Sequence, residues 1–89
     1  MRCVISVLGK DRTGIVAGVS AVLAEKGASI ADINQSILED MFSMTMLVNL
    51  DEAVAGFNEV QDALAKVGED LGVQVIIQRE DLFQFMYKI

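Results

Sequence analysis

The chain has 89 residues, of which 53% are hydrophobic, and it carries a formal net charge of −6 with no histidine and a single cysteine. This length predicts one domain with a small core, and the excess of apolar residues predicts an oligomer, for which we expect a homodimer. The acidic balance argues against direct binding to nucleic acid, the lone Cys3 excludes an internal disulfide, and the lack of histidine removes the commonest metal ligand. No apolar run approaches the roughly 20 residues that span a bilayer, so we predict a cytoplasmic protein without a membrane partner.

The first predicted element is a strand over "RCVISVL", which is rich in β-branched residues and ends before Gly9. A helix over residues 15 to 26 follows, because apolar residues recur there at helical spacing and Gly27 stops the pattern. The segments "SIADINQSILED" and "FSMTMLVNL" predict two strands that form a hairpin with a turn near residues 39 to 41. The second of these strands alternates large apolar residues with mostly polar ones, as a strand buried on one face does.

The second half of the chain predicts another helix, a strand and a tail. Asp51 is a candidate cap for the helix, whose buried stripe would consist of Val54, Phe57, Val60, Leu64, Val67 and Leu71. Gly72 ends this helix, and "VQVIIQ" is the last strand. The tail "DLFQFMYKI" is expected to pack on the domain or on a dimer partner through Leu82, Phe85 and Met86.

The element order β-α-β-β-α-β has few compact solutions. Right-handed crossovers give an α+β, ferredoxin-like sandwich, in which two helices cover one face of a four-stranded antiparallel sheet of strand order 4-1-3-2. The first strand is apolar on both faces, since Cys3, Ile5 and Val7 alternate with Val4 and Leu8. The face without helices therefore needs another cover, which we expect the tail and a second subunit to share.

The loop "GKDRTG" between the first strand and the first helix is the candidate functional motif. It is not a Walker A loop, because Ile15 and Val16 follow Gly14 where Lys and Ser or Thr would stand, and its glycines lack the Rossmann spacing. A structural interpretation makes it a tight connection in which Asp11 or Thr13 caps the helix. A functional interpretation makes its free amides and Gly14 a site for a carboxylate. One loop can satisfy both interpretations.

Catalysis has little support in the sequence. Cys3 has no histidine to activate it, and its position in the first strand is typical of a small buried hydrophobe. The carboxylates fall on predicted helix faces, turns and ends, and no spacing brings two of them together in a cleft. We therefore expect no catalytic residue, no metal and no cofactor.

The stretch "GKDRTGIVAGVSAVLAEKGASIADINQSI" resembles the opening of an ACT domain. In that family a strand ends in G-x-D-R/K-x-G-I/L-V/L-A, a helix follows, and G-x-N-I-x-D begins the second strand. The chain is most similar to the stand-alone single-ACT-domain proteins of bacteria, and it is also similar to the ACT domain of the glycine cleavage system regulator. The resemblance extends to the element order of the whole chain, so we interpret residues 1–89 as one ACT domain whose tail is residues 81–89.

The resemblance implies an allosteric regulatory protein. ACT domains commonly bind amino acids or related small metabolites at an interface between two domains, with the first loop and the start of the second strand. By this likeness the two sides of the pocket would consist of Asp11, Arg12, Thr13 and Gly14, and of Ser29, Ile30 and Asp32. Two of these residues depart from the family pattern, since Thr13 replaces a frequent proline and Ser29 replaces an asparagine whose amide often contacts ligand.

Three hypotheses follow. The first is a non-catalytic sensor of a small molecule that acts, as a homodimer, on a separate protein partner, because the chain contains no catalytic domain to regulate. The second is an oligomerisation or protein-interaction module whose loop binds no ligand. The third is an enzyme, which turnover of a substrate would establish.

Overall fold

Within residues 1–81, six elements follow one another in the order that the sequence predicts. The computed structural model describes residues 1–81, so the predictions for Leu82, Phe85 and Met86 lie outside the described residues. The elements are β1 (Arg2–Lys10), α1 (Ile15–Glu25), β2 (Ser29–Leu38), β3 (Met41–Asn49), α2 (Phe57–Leu71) and β4 (Val73–Arg79).

The strands form one antiparallel sheet of order β2-β3-β1-β4, which is the predicted order. Strand β1 lies in the middle, where Ile5 pairs with Met46 of β3 on one side and with Ile77 of β4 on the other. The two helices and this sheet confirm the ferredoxin-like α+β sandwich. Neither helix within residues 1–81 is long and apolar enough to cross a membrane.

The core lies between the helices and one face of the sheet. Alternate residues of β1 and β3 point into this core. The helices α1 and α2 contribute aliphatic residues, which recur every three or four positions in their sequences as predicted. Its fully buried side chains include Met44 and Met46, which flank β1 at the centre of the sheet. The strict alternation predicted for β3 is confirmed by the burial of its even-numbered residues.

The edge strand β2 lies outside this core. All of its residues are exposed, although Ile30, Ile33 and Ile37 pair with buried residues of β3 and so share the helix-covered face. The most exposed of these three isoleucines is Ile37, at 57%. The described helices therefore cover the other strands and leave an apolar stripe on the edge strand.

The predicted start of α2 is wrong. The helix begins at Phe57 with Gly56 as its N-cap, and the Asp51 carboxylate instead accepts a hydrogen bond from the Ala53 amide at 3.0 Å in a turn that precedes the helix. Val54 belongs to this turn and is 56% exposed, so it is not part of the buried stripe. The predicted end at Gly72 is confirmed, because Gly72 caps α2 with a φ of 74°.

Candidate functional site

The loop after β1 is tied to the β2–β3 hairpin. The Asp11 amide donates a hydrogen bond of 2.7 Å to the carbonyl oxygen of Asp40, which lies in the hairpin turn. This bond fixes where the loop leaves the sheet, so the amides that follow Asp11 lie at the same end of the sheet as the turn.

The first turn of α1 has no side-chain cap. Gly14 is its N-cap residue, with a φ of 94°, and within residues 1–81 no side chain of the cap accepts a hydrogen bond from the helix. The prediction that Asp11 or Thr13 caps the helix is therefore wrong, because the left-handed Gly14 turns the chain after both of them. The first helical hydrogen bond runs from the Gly18 amide to the Gly14 carbonyl at 2.8 Å, so the amides before Gly18 precede the intrahelical pattern.

Space is open beside these amides. A Cβ built on Gly14 would meet no described atom within 4 Å, so a ligand group can approach the backbone there. The first turn of α1 carries no acidic residue that would neutralise the positive end of the helix dipole. An uncapped, unscreened and accessible helix N-terminus is suited to an anionic group such as a carboxylate.

Arg12 contacts the end of α2. Its guanidinium donates a hydrogen bond of 3.1 Å to the carbonyl oxygen of Leu71 in the last turn of α2. Between the loop and that turn lies a depression of about 380 Å³, and the residues that line it are Lys10, Asp11, Arg12, Leu71 and Gly72. In this structure Arg12 therefore acts on the C-terminal end of α2, where it meets a free carbonyl group.

The residues predicted for the other side of the pocket lie at the opposite end of the sheet. Ser29 pairs with Asn49, which pairs with Arg2 at the start of β1. At the other end Leu38 pairs with Met41, which pairs with Lys10 at the start of the loop. A strand of this length separates its ends by roughly 30 Å. One chain therefore does not bring Ser29, Ile30 and Asp32 together with Asp11, Arg12, Thr13 and Gly14.

The start of β2 has a β-bulge. The register shifts between Ile30 and Asp32, so Ala31 is the extra residue, and the Asp32 carboxylate accepts a hydrogen bond from the Ile33 amide at 2.9 Å. A bulge at an edge strand redirects the neighbouring side chains. The exposed Ser29, Ile30 and Asp32 thus lie on a locally twisted edge that another chain can reach.

Sequence reasoning missed two backbone groups that define the loop. The carbonyl groups of Asp40 and Leu71 hold Asp11 and Arg12, yet both lie far away along the chain. Backbone acceptors leave no residue-type signal in a sequence, so only the fold identifies them.

The described residues include one cysteine and no cluster of metal ligands. Cys3 is fully buried in β1, and burial raises the pKa of its thiol, so it keeps its proton where an exposed thiol would begin to ionise. Between Met1 and Asp81 no group of three or more Cys, Asp or Glu side chains is arranged to hold a metal ion.

Comparisons with known proteins agree on one family. The family model described as ACT domain matches residues 2–78. The UPF0237 protein MJ1558 of Methanocaldococcus jannaschii is 53% identical over 99% of this chain and 98% of its own length. The solved ACT domain protein from Streptococcus pneumoniae is 40% identical, with a TM-score of 0.81 over 93% of each chain.

A third comparison concerns fold alone. A putative glycine cleavage system transcriptional repressor of known structure is 22% identical, with a TM-score of 0.77 over 86% of this chain and 44% of its own. The similarity to a glycine cleavage regulator that the sequence suggests is thereby confirmed at the level of the fold. With the family model matching most of its length, the chain belongs to the ACT domain family.

Proposed function

We propose that this protein is a non-catalytic regulatory protein that binds the carboxylate of an amino acid or a related small metabolite and acts on a separate protein. The single observation that carries the proposal is the first turn of α1, where Gly14 leaves the helix amides without a side-chain cap and open to approach. ACT domains are generally regulatory and bind small ligands, which agrees with this chemistry. The fully buried Cys3, as the only cysteine, is compatible with a reducing cytoplasm, where we place the protein.

A second copy of the chain completes the site. When β2 pairs antiparallel with β2 of a second copy, about an axis near Ile33, the start of β2 in one copy lies beside the end of β2 in the other. The end of β2 leads into the turn whose Asp40 carbonyl holds the loop. This arrangement moves Ser29 and Asp32 of one copy to the end of the sheet that carries Gly14 of the other.

The edge strand supports such a homodimer. Among the strands of residues 1–81, β2 pairs with β3 along one side only, and no described strand pairs with the backbone groups of its other side. The exposed stripe of Ile30, Ile33 and Ile37 would be buried by a symmetric partner. Fully burying one such side chain contributes about 1.5–3 kcal/mol, which favours association over an exposed edge.

Within this site the roles differ by residue. The amides that follow Gly14 would donate to the ligand carboxylate, as at other helix N-termini that bind anions. Ser29 and Asp32 of the second copy would supply a hydroxyl and a carboxylate for the ligand amine. Arg12 would anchor the loop to α2 by its hydrogen bond to the Leu71 carbonyl oxygen. Its guanidinium would contact the ligand only if this hydrogen bond broke.

The proposal is tested by calorimetric titration with the twenty amino acids, beginning with glycine and serine because Ser29 and Ala31 are small. A ligand at 100 times its dissociation constant also raises the free energy of unfolding by about 2.7 kcal/mol, which a thermal shift detects. The decisive variant is Gly14→Asn, because asparagine tolerates the left-handed backbone and its side chain caps the same amides.

We expect Gly14→Asn to fold and to lose the ligand, since its side chain occupies the amides. The matched control is Gly56→Asn, because Gly56 is the N-cap of α2, is equally open, and has an ordinary φ of −78°. Binding that persists in folded Gly14→Asn overturns the assigned amides. If no amino acid binds the wild-type protein at millimolar concentration, the exposed edge of β2 favours the second candidate, an oligomerisation or interaction module without ligand.

A further inference from the structure

We propose that the last turn of α2, residues 68–71, reports ligand binding, because Arg12 leaves this turn when a carboxylate occupies the loop after β1. The inference rests on the proposed function, since it needs a ligand at the amides that follow Gly14. The Arg12 guanidinium donates a hydrogen bond of 3.1 Å to the Leu71 carbonyl oxygen, and this contact is exposed to solvent. The contact can therefore open while the core stays intact.

The last turn of α2 depends on a charge from outside the helix. Its residues include Glu69 and Asp70 and none that is basic, and negative side chains are unfavourable at the negative end of a helix dipole. The Gly72 amide closes the turn through a hydrogen bond of 3.3 Å to the Glu69 carbonyl oxygen, which is long for such a bond. Loss of the Arg12 guanidinium should therefore loosen this turn before the rest of α2.

The turn between α2 and β4 packs closely on both sides of the loop. On the β1 side, a Cβ built on Gly9 would lie 2.8 Å from a Val73 methyl group. On the α1 side, a Cβ built on Gly18 would lie 3.0 Å from a Leu71 methyl group. Leu71 and Val73, the two neighbours of Gly72 in the chain, thus contact the elements that precede and follow the loop. Because such close packing leaves little free space, a movement of the loop is transmitted directly to the end of α2.

A bound carboxylate competes with Leu71 for Arg12. Arg12 precedes Gly14 by two residues, so its guanidinium starts from the same loop as the amides that would hold the ligand. A depression of about 380 Å³ between this loop and the end of α2 gives the side chain room to move. A hydrogen bond from a guanidinium to an ionised carboxylate is about twice as strong as one to a neutral acceptor. The ligand carboxylate is therefore the stronger partner for Arg12.

The end of α2 thus has two states. In one state Arg12 holds the Leu71 carbonyl group and the last turn is stabilised, as in this structure. In the other state Arg12 contacts the ligand and the last turn is loosened. The ligand shifts the equilibrium because it binds the second state better, and the change appears on an exposed part of α2 that a separate protein can contact.

The first measurement is amide hydrogen exchange by NMR on the wild-type protein, with glycine and serine at millimolar concentration as the first probes. A bound ligand stabilises the folded state, so exchange at Leu64, in the middle of α2, should slow or stay unchanged. At Leu71 and Gly72 we expect an increase of about threefold, because the turn has lost its positive charge. Opposite signs within one helix distinguish release of the turn from a general change in stability.

The second measurement follows the Gly72 amide signal, because the Gly72 nitrogen and the Leu71 carbonyl group belong to one peptide unit. Arg12→Met keeps an unbranched side chain but loses the charge and the donors. Without any amino acid, the Gly72 signal of Arg12→Met should move toward its position in ligand-bound wild type. The matched control is Lys10→Met, which removes a positive charge from the lining of the same depression. We expect this control to keep the wild-type signal and the wild-type response.

The outcomes separate this inference from the proposed function. If none of the twenty amino acids binds the wild-type protein in calorimetry, the proposed function is wrong and the inference falls with it. If an amino acid binds but exchange at Leu71 and Gly72 slows or stays unchanged, only the inference is overturned. It is also wrong if Lys10→Met shifts the Gly72 signal as far as Arg12→Met does.

Discussion

The guanidinium of Arg12 donates a hydrogen bond to the carbonyl oxygen of Leu71 at 3.1 Å, so the loop after β1 stabilises the last turn of α2. That turn contains no basic residue of its own. Arg12 therefore supplies, from 59 positions away, the positive charge that usually lies at a helix C-terminus. The arginine of the family motif has a structural role in addition to any contact with ligand.

We expect Arg12→Ala to lower the free energy of unfolding by about 0.5–1 kcal/mol, because one exposed, charge-assisted hydrogen bond is lost. Urea denaturation monitored by circular dichroism measures the change. Arg12→Lys should recover part of it through the helix dipole, although it lacks the planar fork of arginine. An unchanged midpoint in Arg12→Ala would show that the bond to Leu71 contributes nothing.

Two glycines inside helices should respond in opposite ways to alanine. A Cβ on Gly68 would lie 2.9 Å from the Val73 carbonyl oxygen and from a Val75 methyl group, so Gly68→Ala should destabilise the protein by about 1–3 kcal/mol. A Cβ on Gly18 would come closest to the end of the Leu71 side chain, at 3.0 Å, which can shift, and would make an ordinary contact with a Val67 methyl group at 3.5 Å. Gly18→Ala should be neutral or stabilising by up to about 1 kcal/mol, since alanine favours the helix. Thermal unfolding of both variants compares them, and a destabilisation of equal size in both would contradict the contact argument.

The stability of the protein should fall in alkaline solution because of Cys3. Burial raises the pKa of this thiol in the folded state, so its contribution to stability is complete below the pKa of the unfolded thiol, about 8.5. It is lost progressively as the pH rises through the higher folded value, because the unfolded chain releases the proton first. Urea denaturation at pH 7 and pH 10 should show a larger loss for wild type than for Cys3→Ala. Equal losses in the two proteins would mean that Cys3 does not titrate differently on folding.

The exposed stripe of β2 should control dimerisation. Ile37→Lys places a charge where the second copy would pack, and because Ile37 is already mostly exposed, the monomer should fold normally. We expect the dimer to dissociate at least about tenfold more readily, which sedimentation or light scattering at micromolar concentration detects.

The control for that experiment is Ile76→Lys, since Ile76 is exposed to a similar degree but lies on β4, at the far edge of the sheet, on the open face that neither α1 nor α2 covers. It should leave the dimer intact. If Ile76→Lys dissociates the dimer and Ile37→Lys does not, the copies meet through the open face. If the wild-type protein is monomeric at micromolar concentration, the predicted homodimer is wrong.

The fold could be predicted because hydrophobic periodicity and element order determine it. The alternation in β3 and the spacing of Val60 and Leu64 survive in the structure as one buried face each. The start of α1 at Ile15 was predicted, but the start of α2 was not, because Asp51 has the residue type of a cap and the chain forms an extra turn before Phe57. N-cap preferences say which residue types favour the cap position, but the path of the loop determines which residue occupies that position.

The sequence predicts candidate site residues but not their geometry. The motif predicts Gly14 and Ser29 as ligand-binding residues, and this stays a prediction; the motif does not say whether one chain supplies both. Their separation follows from the strand directions, since β1 ends where the loop begins and β2 starts at the opposite end. The order and direction of the strands are therefore enough to predict that Gly14 and Ser29 of one chain lie at opposite ends of the sheet.

The burial of Met44 and Met46 at the centre of the core protects their sulfur atoms from oxidation while the protein is folded. Peroxide converts methionine to a polar sulfoxide, and it reaches the exposed Met1 and Met41 without any opening of the fold. The two core sulfur atoms are reached only when the sheet and the helices separate. Sulfoxides at Met1 and Met41 thus record surface damage to an intact domain, whereas sulfoxides at Met44 and Met46 count the molecules that have unfolded.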